Sequence, residues 1–215
     1  MNKPKIILII ASSIDGRIAY PHGGESHLGS LEDRKILSES LSKVDATIFG
    51  SGTLKAHKST FLVKEKYQNI SHKQPVSIIA GNSNTFSDKW LYFKQPIKRW
   101  LISSEVRVKK NIFNFDKEFL FKGTWKKTLE VFQKEGIKNI ALLGGAKLIS
   151  SFSKENLIDE IKITIVPKII GGNFTWINPI IEKDCFNSSS NWIVHSLKEL
   201  NTNEIFIHYT RKKRD

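Results

Sequence analysis

One cysteine, Cys185, stands in the chain, so no disulfide can close within it, and the expected setting is a reducing cytoplasm. A lone cysteine reads as a small packed hydrophobe. Metal-ligand spacings are missing too. The six histidines are dispersed, none at a ligand spacing from a cysteine, aspartate or glutamate, so no metal site is expected. No Ser/His/Asp arrangement stands out, and His22, His27 and His57 fall in loop-like stretches. Long apolar runs are absent: nothing approaches the ~20 residues of a membrane span, and no membrane partner is expected. Lys3-Pro4-Lys5 ahead of Ile6 to Ala11 has the outline of a secretory leader, yet the apolar stretch is too short and runs straight into Asp15-Gly16. A buried first strand is the better reading. No linker, composition break or internal repeat divides the 215 residues, and at 40% hydrophobic they can bury a full core as one domain, residues 1–215.

Acidic residues are scarce, 21 against 34 lysines and arginines, for a formal charge of +13 and a pI near 9.7. Clustered cations gain affinity for nucleic acid by releasing counterions from the phosphate backbone. The excess is mostly lysine, however, and the arginines are only Arg17, Arg34, Arg99, Arg107, Arg211 and Arg214. Base-edge recognition favours arginine, and these lysines are scattered rather than striped. A solvated cationic surface without a nucleic-acid partner is the expectation, with Arg211-Lys212-Lys213-Arg214 a soluble end.

Ile6 to Ala11 reads as a buried strand. Ser30-Leu31-Glu32-Asp33 supplies an N-cap serine with an acidic residue three positions on, which predicts a helix to about Lys43. Ala46 to Phe49 is a second strand. The stretch from Lys55 to Gln74 is polar and poorly patterned and reads as a loop at the rim of a site. Pro75 to Ala80, Lys98 to Ile102 and Glu118 to Phe121 read as further strands. Thr124 caps a helix through Glu135, and Gly136 closes it where a left-handed residue is wanted. Ile140 to Leu143 is another strand, followed by a helix to about Ser153. Glu160 to Val166 then alternates, while Trp192 to Leu200 and Glu204 to Arg211 flank Asn201-Thr202-Asn203, a hairpin signal. Strands alternating with helices and ending in an antiparallel hairpin predict an α/β fold with a mixed, mostly parallel central sheet covered on both faces.

Gly50-Ser51-Gly52-Thr53 and Gly144-Gly145-Ala146-Lys147-Leu148 each follow an apolar run and precede a helix start. One alone is an ordinary strand-to-helix turn. Two point to backbone N–H groups at helix N-termini converging on a phosphorylated cofactor. Lys147 adds a charge suited to a pyrophosphate, although an exposed helix lysine reads the same way. Ser103 and Ser104 follow the strand ending at Ile102, with Arg107 and Lys109 close behind. Short hydroxyls and cations suit a dianion such as the 2′-phosphate that separates NADP from NAD, with an ordinary surface loop the competing reading.

Five motifs then stand in one order: Ile9-Ile10-Ala11-Ser12-Ser13-Ile14-Asp15-Gly16-Arg17-Ile18-Ala19, Gly24-Glu25-Ser26, Val44 to Thr53, Gly144 to Leu148, and Val166-Pro167-Lys168-Ile169-Ile170-Gly171-Gly172. On these the chain resembles, over nearly its whole length, the pyrimidine reductase of riboflavin biosynthesis. The resemblance implies a dihydrofolate reductase-like fold, a three-layer α/β/α sandwich that is usually a homodimer, with NADPH across the carboxyl edge of the strands. It implies that Thr53 contacts the cofactor, that Ala11 lets the nicotinamide approach, and that Ser26 contacts substrate. It also places Asp15 at the border of the reacting centre, as the candidate catalytic group. Pro167 to Gly172 reads as structural.

The substrate half departs from the family. The arginine a few residues before Asp45-Ala46 is here Leu41 or Ser42, the Asp-x-Pro stretch after the threonine is His57-Lys58-Ser59, the arginine closing that segment is Lys64, and the glutamate before the Gly-Gly turn is Leu143. Lys64 or Lys58 is expected to hold a substrate phosphate in place of arginine.

The implied activity is NADPH-dependent reduction of 5-amino-6-(5-phosphoribosylamino)uracil or its 2,5-diaminopyrimidinone counterpart. The ribosylamino sugar opens and its C1′ receives hydride, the cofactor carrying the chemistry. Alternatives are a reductase of a pterin or another small heterocycle, a cofactor-binding protein without turnover, and, in a different class, a basic nucleic-acid-binding module.

Overall fold

The computed structural model describes residues 3–24, 26–64, 74–84, 86–104, 113–178 and 191–212. In chain order the elements are β1 (Lys5–Ser13), α1 (Leu31–Leu41), β2 (Ala46–Gly50), α2 (Ser51–His57), β3 (Val76–Ala80), β4 (Arg99–Ser103), β5 (Lys117–Leu120), α3 (Trp125–Lys134), β6 (Asn139–Gly144), α4 (Ala146–Lys154), β7 (Glu160–Val166), β8 (Trp192–Leu200) and β9 (Glu204–Arg211). They build one nine-stranded sheet in the order β5-β4-β3-β2-β6-β1-β7-β9-β8. Strands β5 through β7 pair in parallel. The final pairs β7–β9 and β8–β9 are antiparallel.

Alternate residues of the central strands face opposite layers, as a period of two requires. Ile6 and Leu8 of β1, with Ala46 and Ile48 of β2, pack in one cluster with Trp125, Leu129 and Phe132 of α3 and with Leu148, Ile149 and Phe152 of α4. Ile7 and Ile9 face the other way, onto Leu37 and Leu41 of α1. Phe49, Ile79 and Leu101 meet Leu54 of α2. Three layers result, with the core split between the two faces of the sheet.

Two elements differ from the sequence expectation. Strand β1 runs on past Ala11 because Ala11, Ser12 and Ser13 pair with Thr164, Ile165 and Val166 of β7. Helix α2 takes the first residues of the stretch expected to be loop and stops at Lys58, whose φ is 54°. Among the described residues no helix is long and apolar enough to cross a membrane.

Candidate active site

Sheet order brings the two glycine turns together. β2 and β6 are neighbours with Phe49 opposite Gly144 after a register shift, so their carboxyl ends deliver Gly50 and Gly144 side by side. Both turns line one cleft of about 1050 Å³, within or just above the range of small-molecule sites. Contact is direct: a Cβ built on Gly145 would come 3.2 Å from Thr53 Oγ1. Gly144 takes φ +110°, a conformation open to glycine alone among common residues, and its peptide bond to Gly145 is cis. Gly145 then caps α4 with extended backbone; the Leu148 N–H bonds the Gly145 carbonyl at 2.9 Å, while the Ala146 and Lys147 N–H groups have no upstream helical carbonyl to bond.

The cleft takes in Ala11 of β1, two residues before that strand ends, Ser26, all of residues 50–53 and 144–148, and Ser103 and Ser104 at the end of β4. Ser26 Oγ donates to the Ile18 carbonyl at 2.6 Å, fixing the loop that carries it. Ser51 packs over Gly81, where an added Cβ would meet Ser51 Oγ at 2.5 Å. Arg107 and Lys109, expected beside Ser103 and Ser104, lie outside the described residues. Of the positions that depart from the family pattern, His57, Ser59 and Leu143 line the cleft, while Leu41 is fully buried.

Asp15 and Lys64 are not among the lining residues. Asp15 is engaged elsewhere: the Ser13 hydroxyl donates to it at 2.5 Å, and the N–H groups of Gly171 and Ile170 donate at 2.7 and 3.1 Å. With Ser13 the largest influence, these donors hold its carboxyl down at about 2. Arg17 Nε lies 3.5 Å away. This carboxylate ties the segment after β7 to the end of β1, a role the Asp-Gly turn alone does not reveal. Lys64 is exposed at the end of the segment after α2.

Among the cleft residues that escaped the sequence reading are Asp33, Arg34 and His27. Arg34 Nη2 and His27 Nδ1 are 3.0 Å apart. Asp33 was expected to complete a capping box with Ser30, and only half of that box exists. Ser30 Oγ accepts the Asp33 N–H at 3.3 Å, but the Ser30 N–H goes to Glu204 Oε1 at 2.9 Å. Glu204 is a distant residue on β9, so the Asp33 side chain is released from capping. The Thr164 hydroxyl of β7 is near enough to influence it, and it presses on Gly29, where a Cβ would overlap it. Burial raises the Asp33 pKa, and the nearby charge of Glu204 raises it further against the opposing Thr164 hydroxyl and Arg34 charge. Among the described residues no group of three His, Cys, Asp or Glu side chains could hold a metal ion.

The sequence profile of the RibD C-terminal domain matches residues 4–183. The chain belongs to this family. It is 31% identical over 185 residues to a riboflavin biosynthesis protein RibD of Buchnera aphidicola, covering 78% of this chain and 49% of that protein. It therefore spans about half to three-fifths of the first RibD proteins it matches. A 2,5-diamino-6-ribosylamino-4(3H)-pyrimidinone 5′-phosphate reductase of Archaeoglobus fulgidus is 22% identical over 191 residues, covering 79% of this chain and 83% of that one. Among solved structures, Acinetobacter baumannii RibD superimposes with a TM-score of 0.83 at 20% identity, over 99% of this chain and 59% of that one. Dihydrofolate reductase of Enterococcus faecalis follows at 0.56 and 12% identity, over 97% of both chains. The fold is thus that of RibD reductases and dihydrofolate reductase.

Proposed function

We propose that this RibD-family domain is an NADPH-dependent reductase of a 5′-phosphorylated ribosylaminopyrimidine, either 5-amino-6-(5-phosphoribosylamino)uracil or its 2,5-diaminopyrimidinone counterpart. The observation that carries the reading is the meeting of the two glycine turns in one cleft, with Thr53 Oγ1 against Gly145. Bare backbone at Gly50, Gly52, Gly144 and Gly145 admits a close-lying diphosphate, and the first turn of α4 offers it N–H donors. Thr53 and Lys147 would add a hydroxyl and a charge. Ser103 and Ser104 would take the 2′-phosphate that favours NADPH over NADH, and Ala11 leaves room for the nicotinamide near the end of β1.

Bound there, the reduced nicotinamide supplies hydride to C1′ of the opened sugar. The protein's share is orientation, exclusion of water and placement of charge. Arg34, paired with His27 at the cleft, is the cation best placed for the substrate phosphate, in preference to Lys64. Relatives named as pyrimidinone phosphate reductases cover about four-fifths of this chain, which supports the substrate class. A homodimer belongs to the same reading, since edge strand β8 leaves Ile193, Val194 and Leu197 exposed for a second copy to cover.

The test is NADPH oxidation followed by absorbance, with the ribosylaminopyrimidine phosphate offered in its amino and deaminated forms. Turnover of either, and of no pterin or dihydrofolate, is the expected result. Turnover of a pterin alone would contradict it.

A further inference from the structure

Reductive opening of a ribosylamine needs an acid as well as a reductant. As the C1′–O4′ bond breaks, its electron pair goes to O4′, the nitrogen lone pair forms the C=N bond, and O4′ must take up a proton. Reduction at C1′ by the nicotinamide then gives the amine, so each turnover consumes one proton. The proton source is a group of the chain or a water molecule it holds.

Asp33 is the only carboxyl group lining the cleft among the described residues. Its position follows from the sheet. Thr164, whose hydroxyl influences it, lies opposite Ala11 two residues before parallel strands β1 and β7 end, so the carboxyl belongs to the same stretch of the sheet as the Ala11 position where the nicotinamide is expected. Neighbouring strands are ~4.8 Å apart, and Asp33 and Ala11 line the same cleft.

The surroundings also decide which form of the acid is stable. Glu204 from β9 is 4% exposed, accepts the Ser30 N–H with Oε1, and keeps Oε2 buried without a hydrogen-bond partner among the described residues. Partial burial at the cleft wall, joined by the nearby Glu204 charge, favours the protonated form of Asp33. Glu32 accepts the Asn201 N–H and side-chain amide at 2.6 and 3.0 Å, locking the β8–β9 turn, and with it Glu204, beneath the start of α1. The groups facing Asp33 are therefore Glu204 from β9, Thr164 from β7, Arg34 on its own helix and, through Arg34, His27.

We propose that Asp33 is the general acid of the cleft, handing its proton to the departing ring oxygen O4′ and regaining one from water. The inference rests on the substrate class proposed above. It makes Glu204 a positioning residue that keeps the proton on its neighbour without touching substrate.

The test compares wild type, Asp33→Asn, Glu204→Gln and His57→Gln in NADPH oxidation across pH, with NADPH titration and circular dichroism on each. Asp33→Asn should bind NADPH within about twofold of wild type and lose roughly a hundredfold or more in kcat, the scale of one general acid. An acid must be protonated to act, so wild-type kcat/KM falls as pH rises through its pKa. Glu204→Gln keeps the Ser30 bond through its amide oxygen and removes the repelling charge, so that fall should move to lower pH. A purely structural Asp33 would lower Tm and leave the pH limb in place. Folded Asp33→Asn with wild-type kcat, an unmoved limb in Glu204→Gln, or a limb abolished by His57→Gln alone would overturn the assignment. Should no ribosylaminopyrimidine phosphate turn over in wild type, the substrate reading fails. Infrared titration still tests Asp33 in that case: a protonated-carboxyl band persisting above the ordinary aspartate range, absent from Asp33→Asn, is the expected result, and no such band overturns it.

Discussion

Thr53 Oγ1 stands 3.2 Å from the point where a Cβ on Gly145 would lie. Two turns far apart in sequence are thereby in contact within one cleft, and at this point of contact a side chain on Gly145 would crowd Thr53. Gly145→Ala should fold, because its φ of −73° suits any residue, but it crowds the threonine by a few tenths of an ångström. In a Thr53→Ala background the same substitution should cost less, with a coupling of about 0.5 kcal/mol or more in denaturant unfolding. Additive costs would mean that the two turns do not share this contact. Thr53→Ala alone should weaken NADPH binding about fivefold, the net worth of one hydrogen bond of ~1 kcal/mol.

Gly81 supports the same region from beneath. Its φ of +137° and the 2.5 Å approach of an added Cβ to Ser51 Oγ mean that Gly81→Ala must strain the backbone and displace the first residue of α2. A loss of about 1–3 kcal/mol in unfolding free energy is expected, with weaker NADPH binding. Wild-type stability in that variant would show that the α2 start tolerates movement.

Asp15 makes a pH prediction with a definite sign. Its folded-state pKa of about 2 lies below the ~3.9 of an unfolded aspartate. The stabilisation it gives is therefore present above about pH 4 and disappears as pH falls through 2. Asp15→Asn should lower Tm at neutral pH, and the gap to wild type should close between about pH 4 and pH 2. A gap constant over that range would contradict the assignment of Asp15 as the charged tie between β1 and the segment after β7.

Asp33 has the opposite sign. Burial, joined by Glu204, raises its pKa in the folded chain, so the folded protein holds that proton more tightly than the unfolded chain. The stability it contributes is present below the ordinary aspartate range and is lost as pH rises through the folded-state value. Asp33→Asn should therefore gain in Tm relative to wild type as pH is raised, and the advantage should shrink below about pH 4. An advantage that grows on acidification would show that the carboxylate, not the acid, is the favoured form.

Much of this was legible in the sequence because it is local. Apolar alternation placed the strands, Thr124 and Ser30 marked helix starts through their own hydroxyls, and the Gly50 and Gly144 turns announced themselves by following apolar runs. The acid of the cleft was not legible, for a physical reason. Asp33 fits the capping pattern of its own helix, and only β9 folding back to offer Glu204 to the Ser30 N–H releases it. The structural ties of Asp15 were hidden in the same way: the backbone N–H groups of Ile170 and Gly171 reach it only after β1 and β7 pair. Both outcomes depend on partners more than a hundred residues away in sequence, where spacing carries no signal.

The central claim is that the two glycine turns grip one dinucleotide diphosphate, and calorimetric titration of NADPH into wild type and Gly145→Asp tests it most directly. Saturable binding by wild type is the predicted result, with affinity reduced about tenfold or more, at least ~1.4 kcal/mol, in the variant. Equal NADPH affinity in a correctly folded Gly145→Asp protein, or no binding by wild type, would contradict it.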